Sequence, residues 1–259
     1  ALLDSEILLS KAIKKERKFI LLNLDKELNR DDQDNFKNLI IKRSKGVPMA
    51  HLTGIKSFWK SDFKVNNKVL IPRPETEVII EQVLKIYKNK DNLNFLEVGI
   101  GSGCIILSLL KEKKYFLGTG IDLSEDCIRI CKYNAANLGV NSRLRLIKSN
   151  IDNFNFGKYD LIISNPPYIK KFELKKLHKE VRNYEPRLAL DGGLEGISVI
   201  RKVINKSSEL IKTHGKLILE IGCDQTELIK KMLNKKGFYI NEIVKDLAKK
   251  DRCIISTKK

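Results

Sequence analysis

From residue 93 onward, short apolar runs alternate with longer amphipathic stretches, and that rhythm limits the fold more than any other feature of the chain. Runs at 94–99, 117–122, 144–148, 159–164, 216–221, 238–244 and 252–257 read as strands. Helical spacing fills 103–113, 124–138, 195–213 and 225–236 between them. Strand–helix alternation of this kind predicts a doubly wound α/β sheet that is mostly parallel, because each crossover helix returns the chain to the same end of the sheet. The last two strands lie too close together for a crossover. They predict an antiparallel pair at one end of a seven-stranded, Rossmann-like sheet.

Upstream the period changes twice. Residues 1–53 repeat apolar positions at helical spacing (Leu2, Leu3, Ile7, Leu8, Leu9, Ile13; then Phe19 to Leu28; then Phe36, Leu39, Ile40, Ile41), which predicts a small helical N-terminal domain. The helical pattern is already under way at Ala1, so further residues upstream are expected. Residues 54–74 read as a β-hairpin linker, with Phe58-Trp59 and Phe63-Val65 leading into a turn at Asn66-Asn67 and a second strand at Val69-Leu70-Ile71. Pro72-Arg73-Pro74 ends it, and Glu75-Thr76-Glu77 opens a helix into the third segment, 75–259.

Composition excludes several classes. Five cysteines contain no C-x-x-C pair, and three histidines lie far apart, so neither a disulfide framework nor a metal site is expected. Reduced thiols in the cytoplasm are the expectation. No apolar run is long enough to span a bilayer, and no membrane partner is expected. The net charge of +18 suits an acidic partner such as nucleic acid or ribosomes, but it equally suits a Lys- and Asn-rich proteome, and it decides nothing alone.

Three strand ends carry the chemistry. Glu97-Val98-Gly99-Ile100-Gly101-Ser102-Gly103 follows the first strand, and its glycines allow a tight turn and close ligand approach. The spacing differs from G-x-G-x-x-G, and no Gly-Lys-Ser/Thr follows, so phosphate is not the indicated ligand. Asp122, with Leu123 beside it, ends the second strand, where an acid accepts ribose hydroxyls. Asn150 and Ile151 end the third, within reach of an adenine. Together they predict a nucleoside site without phosphate chemistry, which S-adenosyl-L-methionine satisfies.

Asn165-Pro166-Pro167-Tyr168 ends the fourth strand. An amide oxygen, carbonyls beside two prolines that donate nothing, and an aromatic wall suit a planar NH2 group held for attack. These residues resemble the class I S-adenosylmethionine-dependent methyltransferases that act on planar nitrogen: DNA adenine N6, rRNA guanine N2 and protein glutamine N5 enzymes. Ile71-Pro72-Arg73-Pro74-Glu75-Thr76-Glu77, Tyr184-Glu185-Pro186-Arg187-Leu188-Ala189-Leu190 with Gly192-Gly193, and Glu220-Ile221-Gly222 then resemble the release-factor glutamine N5-methyltransferase family (PrmC/HemK). Glu97 stands where that family usually has Asp.

The resemblance implies methyl transfer to the glutamine of the Gly-Gly-Gln (GGQ) motif in class 1 peptide chain release factors, with S-adenosyl-L-homocysteine as product. It implies Asn165, Pro166 and Tyr168 as catalytic residues, with Pro167 joining them around the substrate. Glu97, Gly99, Ile100, Gly101, Ser102, Gly103, Asp122, Leu123, Asn150, Ile151 and Asn165 are implied around the cofactor. Residues 1–53 would dock the substrate. The alternative is a DNA or RNA base amino-methyltransferase; no target-recognition domain is visible, and nucleic acid is not the expected substrate. Arg73 and Glu75 are expected either at the substrate or cofactor or in a linker salt bridge, and Glu220, at a strand end near the site, is expected only to cap a neighbouring helix.

Overall fold

The computed structural model describes residues 2–259. Four helices come first: α1 (Leu2–Ile13), α2 (Arg17–Leu21), α3 (Arg30–Ser44) and α4 (Met49–Thr53). The helical pattern from Phe19 to Leu28 is cut short after one turn. The Asn23 side chain takes the Phe19 carbonyl at 2.7 Å and its backbone N–H turns back to Ile20, so local side-chain bonding ends the helix at Leu21. Asn29 caps α3 by accepting the Asp32 amide, and Asp31 and Asp32 complement the helix dipole.

The hairpin differs from the expectation. Its strands are β1 (Ile55–Phe58) and β2 (Ser61–Lys64), turning at Trp59-Lys60. Trp59 sits at φ 54, held there by Glu77, which accepts its backbone N–H at 2.7 Å, and by Glu112, which accepts its indole N–H at 2.8 Å. Asn66 makes a turn of its own by accepting the Lys68 and Val69 amides, and no strand follows. Val65 and Val69 are instead buried against Cys127 and Ile130. Tertiary anchoring chose the turn where propensity pointed to Asn-Asn. Phe58 and Phe63 pack edge-on at 6.1 Å inside the main core, so the hairpin is bound to the body that follows it.

That body holds α5 (Glu77–Ile86), β3 (Leu93–Val98), α6 (Cys104–Glu112), β4 (Phe116–Asp122), α7 (Glu125–Asn137), β5 (Leu144–Lys148), β6 (Tyr159–Ser164), α8 (Lys179–Tyr184), α9 (Ser198–Leu210), β7 (Ile211–Glu220), α10 (Thr226–Lys235), β8 (Phe238–Lys245) and β9 (Asp251–Lys258). The sheet has seven strands in the order β5-β4-β3-β6-β7-β9-β8. All pairs are parallel except β7–β9 and β8–β9, so the antiparallel end expected from the short final connection is present. Side chains alternate across it: Leu161 and Ile163 face the cluster built with α5 and α6, while Ile162 faces the cluster built with α9 and α10. Both faces are therefore covered, as a parallel sheet requires. Strand order reverses between β3 and β6, and that switch point opens a crevice at the carboxyl ends of the strands. Among the described residues, no helix is long and apolar enough to cross a membrane.

Candidate active site

The loop after β3 turns through three left-handed glycines, Gly99 (φ 78), Gly101 (φ 53) and Gly103 (φ 83). A Cβ on Gly103 would lie 2.5 Å from Cys131 Sγ and 2.9 Å from Leu107, so this glycine lets α6 start against α7. Nothing lies within 4 Å of the Cβ positions of Gly99 and Gly101, and both line the crevice. Asp122, at the end of β4, holds the loop from the side. It accepts the Gly101 amide at 3.1 Å and the Ser124 amide at 2.9 Å. Burial raises its pKa, and those backbone donors oppose the shift. Ser124 caps α7 by accepting the Cys127 amide.

The crevice is a cavity of about 290 Å³, at the lower end of small-molecule sites, which run to roughly 300–1,000 Å³. Val98, Ile121, Leu123, Ile151, Pro186 and Leu188 supply apolar walls. Asp122, Asn150 and Asn165 supply polar groups. Asn150 accepts the Asp152 amide, which shapes the turn that buries Ile151. This donor and acceptor set fits the cofactor expected from sequence: a carboxylate for a diol, an apolar slot for a base, and glycines where the chain must pass close.

Four of the residues expected around the cofactor sit deeper. Glu97, Ile100, Ser102 and Gly103 are behind the loop and do not line the cavity. Glu97 is 1 % exposed, and its carboxylate accepts the Ile106 amide at 2.8 Å, satisfying the first turn of α6 from the neighbouring strand. Burial drives its pKa well above the usual carboxylate value. Glu97 thus supports the loop, supplying an acceptor to a helix start that has no side-chain cap.

Asn165 sits where two cavities meet. Asn165, Pro166 and Pro167 line the cofactor crevice and also a second cavity of about 210 Å³ walled by Tyr168, Ile169, Arg73 and Glu220. The Asn165 Nδ2 group donates to Thr76 Oγ1 at 3.1 Å, and the Thr76 hydroxyl donates to Glu220 Oε2 at 2.7 Å. The Tyr168 hydroxyl donates to Glu220 Oε1 at 3.2 Å and accepts from Arg252 Nη1 at 3.3 Å. Asp246 holds Arg252 through two bonds. Burial pushes the Glu220 pKa up to about 7, with Thr76, Arg252 and Tyr168 pulling it back. Burial also pushes the Tyr168 phenol up, so it stays neutral. Glu220 is therefore part of the site and caps no helix.

Sequence reasoning left two scaffolding contacts unplaced. Arg73 forms an ion pair with buried Glu185, which also accepts the Ile71 amide at 3.1 Å, so the Ile71–Glu77 and Tyr184–Leu190 motifs are one structure. Gln225 was not singled out. Its Nε2 donates to the carbonyls of Tyr168 and Gly196 at 2.9 and 3.1 Å, fixing the segment after Asn165. Only proximity in the fold reveals it, because Gln225 belongs to no motif. Burial pushes the Cys127 thiol up to about 12 and raises Cys104, Cys131 and Cys253 as well, so these four supply no thiolate nucleophile.

A seven-stranded sheet with this order, a glycine loop after its first strand, an acid after its second and Asn-Pro-Pro-Tyr after its fourth define a class I, Rossmann-like methyltransferase. The fold agrees with a methyltransferase from Pyrococcus furiosus, at TM-score 0.58 and 20 % identity over 87 % of this chain and 98 % of that one. Residues 1–54 match the PrmC N-terminal domain and residues 89–255 a methyltransferase domain. The release factor glutamine methyltransferase of Caulobacter vibrioides is 35 % identical over 99 % of this chain and 89 % of its own length. That of Clostridium acetobutylicum is 34 % identical over 98 % and 90 %. The chain belongs to the release factor glutamine methyltransferase family.

Proposed function

We propose that this enzyme transfers a methyl group from S-adenosyl-L-methionine to the side-chain amide nitrogen (N5) of the glutamine in the GGQ motif of class 1 peptide chain release factors. Family membership supports the substrate. The meeting of a nucleoside-shaped crevice and a second cavity at Asn165 carries the chemistry. In this reading residues 1–53 dock the release factor, 54–74 join the two parts, and 75–259 hold the reaction, in the cytoplasm.

The bound cofactor supplies a sulfonium-activated methyl group. Asp122 accepts the ribose hydroxyls, the Gly99–Gly101 backbone borders the cofactor, and Leu123, Asn150 and Ile151 border the base. A carboxamide nitrogen is a weak nucleophile because its lone pair is delocalised into the carbonyl. Asn165 Oδ1 and the Pro166 carbonyl each accept one N–H of the glutamine, with Pro167 and Tyr168 forming the wall of its cavity. The nitrogen is then fixed, with its lone pair directed at the methyl. Orientation alone can supply up to roughly 7–11 kcal/mol of barrier reduction. After transfer the nitrogen is cationic and releases its proton readily, so no strong base is required, and none of the buried groups around Asn165 is placed as one. Glu97, Ile100, Ser102 and Gly103 act from behind, by shaping the loop.

The test is incubation with methyl-labelled cofactor and either a release factor or nucleic acid. Label on the release factor, mapped by mass spectrometry to the glutamine, is the expected outcome. Label in DNA or RNA with none in the protein overturns the assignment.

A further inference from the structure

The contact between Asn165 and Thr76 has a defined polarity. A hydroxyl carries one proton. Thr76 is 2 % exposed and spends that proton on Glu220 Oε2, so its oxygen has only lone pairs left and must face a donor. The donor is the Asn165 NH2 group, which turns Oδ1 the other way, toward the acceptor cavity. Glu220, also 2 % exposed, accepts Tyr168 on its other oxygen, so both carboxylate oxygens receive hydroxyl protons.

We propose that Thr76 and Glu220 are positioning residues for methyl transfer: the ionised Glu220 carboxylate sets the direction of the Thr76 hydroxyl, and Thr76 holds the Asn165 carboxamide with Oδ1 facing the acceptor amide. This rests on the proposed function above. A proton on Glu220 reverses the chain. Arg252 lies on the Tyr168 side of the carboxylate, which disfavours protonation at Oε1, so the proton goes to Oε2 and donates to Thr76. The Thr76 hydroxyl then turns toward Asn165, where it pairs with Oδ1. The carboxamide rotates and presents NH2 to an acceptor NH2, donor against donor. Other groups facing Glu220 are Glu75 from the turn before α5, which raises its pKa, Arg252 and Cys253 from β9, Tyr168, and Cys104 of α6. Burial keeps Tyr168 and both thiols neutral, while it pushes Glu220 up to about 7.

The test has two readouts. In the full chain, Thr76→Val lowers kcat on the release factor by roughly 100-fold, the scale of a small misplacement at a reacting centre, while binding of S-adenosyl-L-homocysteine holds within about threefold. Thr76→Ser restores most of the rate. In the cofactor-free protein, the Asn165 side-chain NH2 pair followed by 15N NMR shifts with a midpoint near pH 7, and the shift disappears in Glu220→Gln. Unchanged kcat in Thr76→Val, or a titration that is absent or survives Glu220→Gln, overturns the proposal. Should Thr76→Val lose S-adenosyl-L-homocysteine binding through misfolding, the wild-type titration decides alone. Failure of the wild-type enzyme to methylate a release factor would sink the functional reading, and the NMR readout still judges the relay.

Discussion

Asp122→Asn is the sharpest probe of the cofactor crevice. The substitution keeps size and shape but exchanges one carboxylate oxygen for an NH2 donor. In the wild type one oxygen accepts the Gly101 amide and the other the Ser124 amide, both through backbone N–H groups. Whichever way the new amide turns, its NH2 meets one of these donors head-on, so one bond is lost and either the glycine loop or the start of α7 must shift. Hydrogen bonds to a charged group are worth about 1.5–3 kcal/mol each. With tenfold in affinity per 1.4 kcal/mol, loss of one such bond from the ribose is roughly 10- to 150-fold weaker cofactor binding. Isothermal titration of both proteins with S-adenosyl-L-homocysteine reads this directly. A Kd within about threefold of wild type would refute the assignment, because a carboxylate shared between loop and ribose cannot lose its charge at so small a cost.

Three further outcomes are expected. Glu97 has a folded-state pKa well above its unfolded value, so the folded state binds the extra proton, and stability is kept at low pH and lost as pH rises through the folded value. Glu97→Gln keeps an acceptor for Ile106 and removes that loss; its Tm advantage widens as pH rises above the ordinary carboxylate value, and a pH-independent difference contradicts the account. Gly103→Ala forces a left-handed residue and a Cβ against Cys131, costing about 1–3 kcal/mol, or a Tm drop of roughly 2–12 °C by calorimetry; an unchanged Tm contradicts it. Arg43 joins Asp4 of α1 to Glu180 of α8 across the chain. Its pairs are partly exposed and contribute about 0–1 kcal/mol, so Arg43→Ala leaves the Tm nearly unchanged while residues 1–53 become more sensitive to protease.

The sheet was legible because its central strands β3, β4, β6 and β7 end in largely buried runs closed by Gly, Asp or Asn. Asp122 and Asn165 were legible for the same reason: a parallel sheet exposes chemistry at strand ends, and sequence marks those ends. The hairpin was misplaced by several residues because its turn is set by Glu77 and Glu112 gripping Trp59, carboxylates that come later in the chain. Helices α4 and α8 are too short to show a period, and α2 stops where Asn23 captures a carbonyl. Thr76 lay inside a recognised motif, but its partner Glu220 is 144 positions away, so only the fold exposes the pair. The bond from the Ile106 amide to Glu97 was equally hidden, because the loop motif does not show that the start of α6 lacks a side-chain cap.

The central claim is that Asn165 holds the acceptor nitrogen and takes no proton. Single-turnover methyl transfer to a release factor by Asn165→Ala, at saturating cofactor, tests it most directly. The account predicts a rate at least roughly 100-fold below wild type, with S-adenosyl-L-homocysteine still bound. A rate equal to wild type would contradict it.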